Sequence, residues 1–141
     1  MRMWWVVVLA LVAGCQSAPA ERVGLGEPPR RVGLGEVSKV SDLVFAEDDE
    51  LVAGWYSYFQ EWHLAARVRV GSVDRFRKDN GLAEPAPVQG AFRNPASDAD
   101  PGWEPEPATG VTPADTDVRR SVRFVRDGSG AEVVYLVVEA A

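Results

Sequence analysis

Few residues in this chain have the chemistry of a catalytic site. His63 is the only histidine, which excludes zinc sites built on paired histidines and, with them, the HExxH proteases. A serine triad would have to combine His63 with a serine, and no serine lies in the context of a nucleophile elbow. The candidate nucleophiles are Ser57, Ser72, Ser97, Ser121 and Ser129. We therefore predict no catalytic residue, and interpret His63 as a residue at the edge of an aromatic helix face.

Other residue spacings give no support for a metal or cofactor site. Asp98 and Asp100 have a spacing found in calcium loops, but no loop of EF-hand type follows. Pairs of carboxylates suited to glycosidic cleavage occur in any acidic sequence and have no specificity. Arg-Val-Gly-Leu-Gly-Glu occurs twice, at 22–27 and 31–36, without the third glycine of a dinucleotide-binding fingerprint. We predict no metal and no cofactor.

The side chains best suited to binding are aromatic and lie within residues 55–62. Exposed, these rings would stack on the sugars of peptidoglycan or dock a partner protein. Buried, they would form the core of a small domain. A helix cannot bury all of them on one stripe, because successive side chains project about 100° apart. We keep both interpretations and take Trp55, Tyr56, Tyr58 and Trp62 as possible binding residues.

The charge balance restricts the partners. The chain of 141 residues has 21 acidic and 15 basic side chains and a formal net charge of −6. An acidic chain is poorly suited to binding nucleic acid or to a polybasic contact with anionic lipid. The length corresponds to one small domain with tails.

Two structures compete for the segment that carries the aromatic residues. Apolar residues at 51, 52, 55, 59 and 62 fit one face of a helix, with the acidic residues 47–50 in its first turn. We predict a helix over 48–66, although Gly54 costs it about 1 kcal/mol relative to alanine. The run 55–59 is also rich in strand formers, so a strand is the alternative. Residues 68–79 fit a strand or a continued helix, and Asn80-Gly81 indicates a turn or helix end.

The C-terminal sequence predicts a β-hairpin. Strands over 118–126 and 131–139 flank Asp127-Gly-Ser-Gly130, a turn signal. With a two-residue loop at 128–129, Phe124 faces Val133 across the hairpin. The second strand is apolar on both faces, which is typical of a central strand.

A proline-rich acidic segment precedes this hairpin. Residues 84–117 contain seven prolines and seven acidic residues against the single base Arg93. Such a composition buries little and is typical of an extended or disordered loop. Phe92 and Trp103 are its only large apolar side chains, and we expect them to attach it to the domain.

The N-terminus has the pattern of an exported protein. Arg2 precedes an unbroken apolar run over 3–13, which as a helix spans about 16 Å, half the hydrocarbon core of a bilayer. That length fits the apolar region of a secretory signal peptide. The run ends in Val12-Ala13-Gly14-Cys15, which resembles the lipobox of bacterial lipoproteins. The resemblance covers residues 1–15, and an uncleaved anchor is the alternative.

The resemblance implies cleavage before Cys15, with lipid on its sulfur and on its new amino group. Because Cys15 is the only cysteine, lipidation leaves neither a disulfide nor a Cys/His nucleophile pair. Stable anchoring needs more than one acyl chain. In the family, aspartate after the cysteine tends to retain the protein in the inner membrane, so Gln16 implies the outer membrane, facing the periplasm or the exterior.

The prediction for the whole chain is an α+β domain, with one main helix packed on a small antiparallel sheet that ends in the hairpin. Residues 1–14 are a signal peptide, 15–38 a flexible lipid-anchored tether, and 39–141 the domain, with 84–117 a disordered loop. The predicted function is a non-enzymatic binding or structural module of the cell envelope, with an envelope protein or peptidoglycan as partner. Glycan or small-ligand binding by the aromatic residues is the alternative, and an envelope hydrolase is a weaker one.

Overall fold

The computed structural model describes residues 27–88, 92–96, 98–105, 109–113 and 118–140. The predicted signal peptide and Cys15 lie outside these ranges. Within them, neither helix combines the length and hydrophobicity required to span a bilayer.

The described strands form one seven-stranded antiparallel sheet in the order β1-β2-β3-β7-β6-β5-β4. The strands are β1 (Arg30–Arg31), β2 (Glu50–Phe59), β3 (Glu61–Val70), β4 (Ala86–Pro87), β5 (Thr109–Val111), β6 (Val118–Arg126) and β7 (Glu132–Ala140). Strand β7 pairs with both β3 and β6, so it joins the hairpins β2–β3 and β6–β7. The predicted α+β class, antiparallel pairing and central position of the last strand are confirmed, but with seven strands the sheet is larger than the small sheet predicted.

Two short helices, α1 (Leu34–Ser41) and α2 (Val73–Asp79), pack on one side of the sheet. Val37 of α1 and Phe76 of α2 join strand residues in one hydrophobic core. The strand residues of this core include Tyr56, Leu64, Val68, Val122, Phe124, Val134, Leu136 and Val138. We call this side of the sheet the helix face and the opposite side the outer face. Because side chains alternate along a strand, each strand contributes to both faces.

The predicted main helix over 48–66 is wrong, and the strand alternative is correct. Residues 50–70 form the hairpin β2–β3, in which Trp55 pairs with Ala65 and Tyr56 with Leu64. The run of aromatic and β-branched residues favours extended backbone, and pairing with β7 outweighs a helical spacing that five apolar residues fit by chance. Gln60, with φ of 63°, forms the turn. The undecided segment 68–79 contains the end of β3 and then α2, which stops at Asn80 with Gly81 at φ of 61°.

The predicted tether extends too far into the domain. Within 15–38, residues 30–31 form β1 and residues 34–38 begin α1. Val32 and Val37 are buried in the main core, and Leu34 and Val40 pack against it. The second copy of the repeat, 31–36, therefore belongs to the domain. Spacings of three residues from 34 to 37 to 40 form the apolar stripe of a short helix, despite the glycines at 33 and 35.

The described parts of the acidic segment 84–117 are ordered against the sheet, which contradicts the prediction of a disordered loop. Strands β4 and β5 extend the sheet beyond β6. Phe92 and Trp103 pack on Val125, Val133 and Tyr135, so their predicted attachment to the domain is confirmed. The amino-acid composition failed to predict this order because the rings of Phe92 and Trp103 bury more apolar area than the average composition of the segment indicates.

The C-terminal hairpin has the predicted strands but a different register. Phe124 pairs with Val134, not with Val133. The backbone of Asp127 bonds to Ala131, and Gly130 adopts φ of 84°. This is a three-residue loop with glycine in the left-handed position, which shifts the partner strand by one residue. Since β7 is apolar on both faces, its pattern tolerates either register and the turn decides.

Candidate functional site

The outer face has an apolar part and a polar part. Its apolar part contains Val125, Val133 and Tyr135, and is covered by residues 92–96 and 98–105, which we call the covering segment. Trp103 lies between the ring of Phe92, at 5.6 Å, and that of Tyr135, at 4.9 Å. The indole nitrogen of Trp103 donates to the carbonyl of Phe92 at 2.8 Å. This packing fixes the covering segment over the β6–β7 hairpin.

An ion pair attaches the covering segment to β3. Arg67 donates from Nε and Nη2 to the two carboxylate oxygens of Asp100, at 3.0 and 2.5 Å. The side chains of Arg67 and Asp100 are 16% and 4% exposed, so the pair is largely removed from water. A two-pronged arginine–carboxylate contact also sets orientation, which places the backbone at 98–102 beside β2 and β3. Asp100, whose spacing from Asp98 resembles that of calcium loops, is thus bound by the guanidinium of Arg67.

A cavity of about 360 Å³ opens between the β1–β2 edge and the covering segment. Arg31, Trp55, Ala99 and Asp100 are among its lining residues. The guanidinium of Arg31 lies 5.2 Å from the centre of the Trp55 ring, a cation–π contact. The indole Nε1 of Trp55 is buried and has no hydrogen-bond partner among the described residues. The cavity therefore combines an apolar ring, a cation and an unused donor.

The four predicted binding aromatics do not form one surface. Trp55 lies on the outer face, while Tyr56 is buried on the helix face and stacks on Trp62 at 5.6 Å. Tyr58 pairs with Trp62 across the hairpin and is 36% exposed. The alternation of a strand separates residues that a helical reading grouped together. Of the four residues, Trp55 lies at a cavity and Tyr56 belongs to the core.

The polar part of the outer face contains the sole histidine. Strand register aligns Ser57, His63, Glu139 and Arg119 in a row across β2, β3, β7 and β6. Glu61 lies two residues before His63 on the same strand and therefore on the same face. The Nε2 atom of His63 lies 3.3 Å from a carboxylate oxygen of Glu139. The sequence prediction placed His63 at the edge of a helix face, whereas it lies within a sheet.

This row is not assembled as a serine triad. His63 Nδ1 is buried and has no hydrogen-bond partner among the described residues. The contact of His63 is therefore with a carboxylate, and the hydroxyl of Ser57 is not hydrogen-bonded to the imidazole. General-base activation of a serine requires that bond.

The row was missed by sequence reasoning for two reasons. In a helix, residues two apart such as Glu61 and His63 project about 200° apart, so a helical reading separates them. Glu139 lies far along the chain and reaches His63 only through the β3–β7 pairing. The alternation of polar residues at 61 and 63 was the available signal for a shared strand face.

Comparisons with family models, with curated proteins and with solved structures found no match.

Proposed function

We propose that this chain is a lipid-anchored protein of the bacterial cell envelope whose domain acts by binding and not by catalysis. The observation that carries the proposal is Val12-Ala13-Gly14-Cys15, placed directly after a short apolar run with a basic start. Such a run is too short for a membrane span and has the length of a signal peptide's apolar region. We infer that the anchor is lipid on Cys15, and that Gln16 favours the outer membrane.

The position of the domain start is compatible with this arrangement. Fourteen residues, 16–29, separate Cys15 from β1. Fully extended, they would span at most about 50 Å. The tether in this proposal is therefore shorter than the sequence prediction of 15–38, and it holds the domain near the membrane surface.

Among the described residues, the imidazole of His63 is not hydrogen-bonded to a serine, as activation of a serine nucleophile would require. His63 contacts a carboxylate, and its other nitrogen has no hydrogen-bond partner there. The net charge of −6 makes nucleic acid an unsuitable partner. We propose an envelope protein or peptidoglycan as the partner class.

Small-ligand or glycan binding is a second candidate, favoured by the cavity at Trp55. The ring of Trp55 offers a stacking surface, its Nε1 offers a donor, and Arg31 offers charge beside it. Cavities of this size accept a sugar or similar ligand. This candidate no longer involves Tyr56, which is buried in the core.

Intact-mass analysis of the membrane fraction tests the anchor. Wild-type protein should begin at Cys15 and be heavier than the polypeptide by its acyl groups. Cys15→Ala should keep residues 1–14 and gain no lipid. Wild-type protein that retains residues 1–14 without added mass would contradict the proposal.

Fluorescence titration with soluble peptidoglycan fragments tests the second candidate. Binding at the cavity should shift tryptophan emission in wild type and in Trp62→Phe, because Trp62 lies on the helix face. The shift should be lost in Trp55→Phe. No shift in wild type at millimolar fragment would remove glycan binding, and a shift that persists in Trp55→Phe would place it elsewhere.

A further inference from the structure

Three side chains with metal-ligating atoms converge on the polar part of the outer face. A ring nitrogen of His63 and a carboxylate oxygen each from Glu61 and Glu139 lie within 4.8 Å of one another. Adjacent residues in the β3–β7 ladder supply His63 and Glu139, and the pleat of β3 supplies Glu61. The three ligands are therefore positioned by rigid strands.

The histidine is the buried member of this group. His63 is 9% exposed, and its ring has one nitrogen facing a carboxylate and the other without a hydrogen-bond partner among the described residues. The nitrogen that faces the carboxylate is Nε2, 3.3 Å from Glu139, so Nε2 is the ring atom available to a metal ion, and Nδ1 points away from the carboxylates. The two carboxylates are more accessible, with side chains 42% and 32% exposed for Glu61 and Glu139. The site is thus closed on the histidine side and open on the carboxylate side.

Arg119 is the one cation that faces this group in the described part of the chain. Its Nη2 lies 3.6 Å from Glu61, and its Nε lies 3.7 Å from Glu139. Both distances exceed those of ordinary hydrogen bonds. The Arg119 side chain is 52% exposed, so it is able to turn away into solvent. The carboxylates of Glu61 and Glu139 and the guanidinium of Arg119 together carry a formal charge of −1. This negative charge favours the binding of a cation.

We propose that Glu61, His63 and Glu139 form a binding site for a divalent transition-metal ion of the zinc class. One imidazole nitrogen with two carboxylates is a donor set for such ions, whereas calcium and magnesium prefer oxygen ligands alone. Tetrahedral bonds of about 2.0–2.2 Å require ligand atoms about 3.3–3.6 Å apart. The Nε2 atom of His63 and a carboxylate oxygen of Glu139 already have that separation, at 3.3 Å. Three protein ligands leave a fourth position for water or for a donor from another molecule.

Zinc titration of the full chain tests the site, followed by calorimetry and by NMR in detergent micelles. All samples carry Cys15→Ser, so that the thiol of Cys15 does not bind metal, and no histidine tag. Because the chain has one histidine, every imidazole signal belongs to His63. We expect one zinc ion per chain, with a shift of the ¹⁵N signals of that imidazole. Calcium at the same concentration should leave those signals unchanged.

Three variants separate this site from general attraction to an acidic protein. Glu61→Gln should weaken zinc binding at least about tenfold. Glu50→Gln should leave zinc affinity unchanged, because Glu50 is an exposed carboxylate of the same sheet, paired with Arg69. Arg119→Gln should tighten binding by up to about fivefold, because it removes a competing positive charge. Circular dichroism confirms that each variant is folded.

The proposal fails if zinc does not bind one to one, or if binding leaves the His63 signals unmoved. It also fails if Glu61→Gln and Glu50→Gln weaken binding equally, or if Arg119→Gln weakens it. None of these outcomes depends on lipidation of Cys15, so the metal site and the proposed anchor are tested separately.

Discussion

At the scale of single residues, the pair Arg67–Asp100 is the polar contact on which the covering segment depends most. Both side chains are largely buried, and the carboxylate accepts two hydrogen bonds from the guanidinium. Removing one charge of such a pair leaves the other buried without compensation. We expect Asp100→Asn to lower the free energy of unfolding by about 3 kcal/mol, as measured by urea denaturation.

The matched control for this prediction is the exposed pair Arg69–Glu50, in which Arg69 lies on β3, like Arg67, and Glu50 lies on β2. Its side chains are 47% and 71% exposed. Glu50→Gln should change stability by less than about 1 kcal/mol. Equal losses in Asp100→Asn and Glu50→Gln would show that burial of Asp100 does not determine its contribution.

The contribution of Asp127 to the stability of the hairpin should depend on pH. Its carboxylate accepts bonds from the hydroxyl of Ser129 at 2.6 Å and from the amides of Ser129 and Ala131, at 2.9 and 3.0 Å. The hydrogen bond from the Ser129 hydroxyl is the main reason that the pKa of Asp127 is lowered in the folded chain. The ionised form therefore stabilises the hairpin at pH values above the ordinary aspartate pKa, and this stabilisation is lost as pH falls through the lowered value.

Asp127→Asn should accordingly be less stable than wild type at pH 7, and the difference should shrink as the solution is acidified below about pH 4. Urea denaturation at a series of pH values measures it. Asp98→Asn is the control, because Asp98 is exposed. A difference between wild type and Asp127→Asn that stays constant with pH would contradict the role of the ionised carboxylate.

At the scale of elements, Gly54 allows the chain at Val32 to lie close to β2. A Cβ at this position would lie 2.8 Å from Cγ2 of Val32 and 3.3 Å from its carbonyl oxygen. The amide of Val32 donates to the carbonyl of Gly54 at 3.0 Å, so the close approach is part of the β1–β2 pairing. The glycine that counted against a helix thus has a positive role in the sheet.

Gly54→Ala should lower the free energy of unfolding by about 1–3 kcal/mol, because the added methyl group pushes the chain at Val32 away from β2. Gly35→Ala is the matched control, since a methyl group added at this position of α1 would have nothing within 4 Å of it. There, alanine should stabilise the helix by about 0.5–1 kcal/mol. Thermal and urea unfolding measure both variants, and the same sign for the two would contradict this account.

The elements that sequence reasoning predicted correctly are those with local signals. The strands around Asp127–Gly130 and the helix stop at Asn80-Gly81 depend on turn residues and patterns within a few positions. The strand conformation within residues 48–66 depends on the pairing of β3 with β7. That pairing joins distant parts of the chain, so no local sequence pattern indicates it. The hairpin register failed for a related reason, because both faces of β7 are buried and its apolar pattern has no preferred side.

The candidate site was still less predictable, since its members come from distant parts of the chain. His63 and Glu139 are neighbours only because β3 and β7 are. Asp100 reaches Arg67 only because two aromatic rings hold the covering segment over the sheet. Trp55 was predicted as a possible binding residue and His63 was predicted to have no catalytic role, and the surroundings of both side chains follow from the sheet topology.

At the scale of the whole molecule, the helix face and the outer face of the sheet are two different environments, although the residues of the two faces alternate along each strand. The helix face carries the main core, to which both helices contribute. The outer face carries the covering segment, the cavity at Trp55 and the row containing His63. The helices stabilise the domain, while the outer face presents its polar and aromatic groups. In the proposed envelope setting, the outer face is where a partner or ion would bind.

The N-terminal limit of the domain gives a test of this division. Val32 and Val37 are 6% and 0% exposed in the main core, although the predicted tether included both. Burial of each side chain contributes about 1.5–3 kcal/mol, which together is a large part of the total stability of a small domain. A chain of residues 39–141 should therefore be unfolded or strongly destabilised, whereas one of 27–141 should unfold cooperatively. Circular dichroism and urea denaturation compare the two chains. Equal stability would mean that β1 and α1 are dispensable and that the tether does reach residue 38.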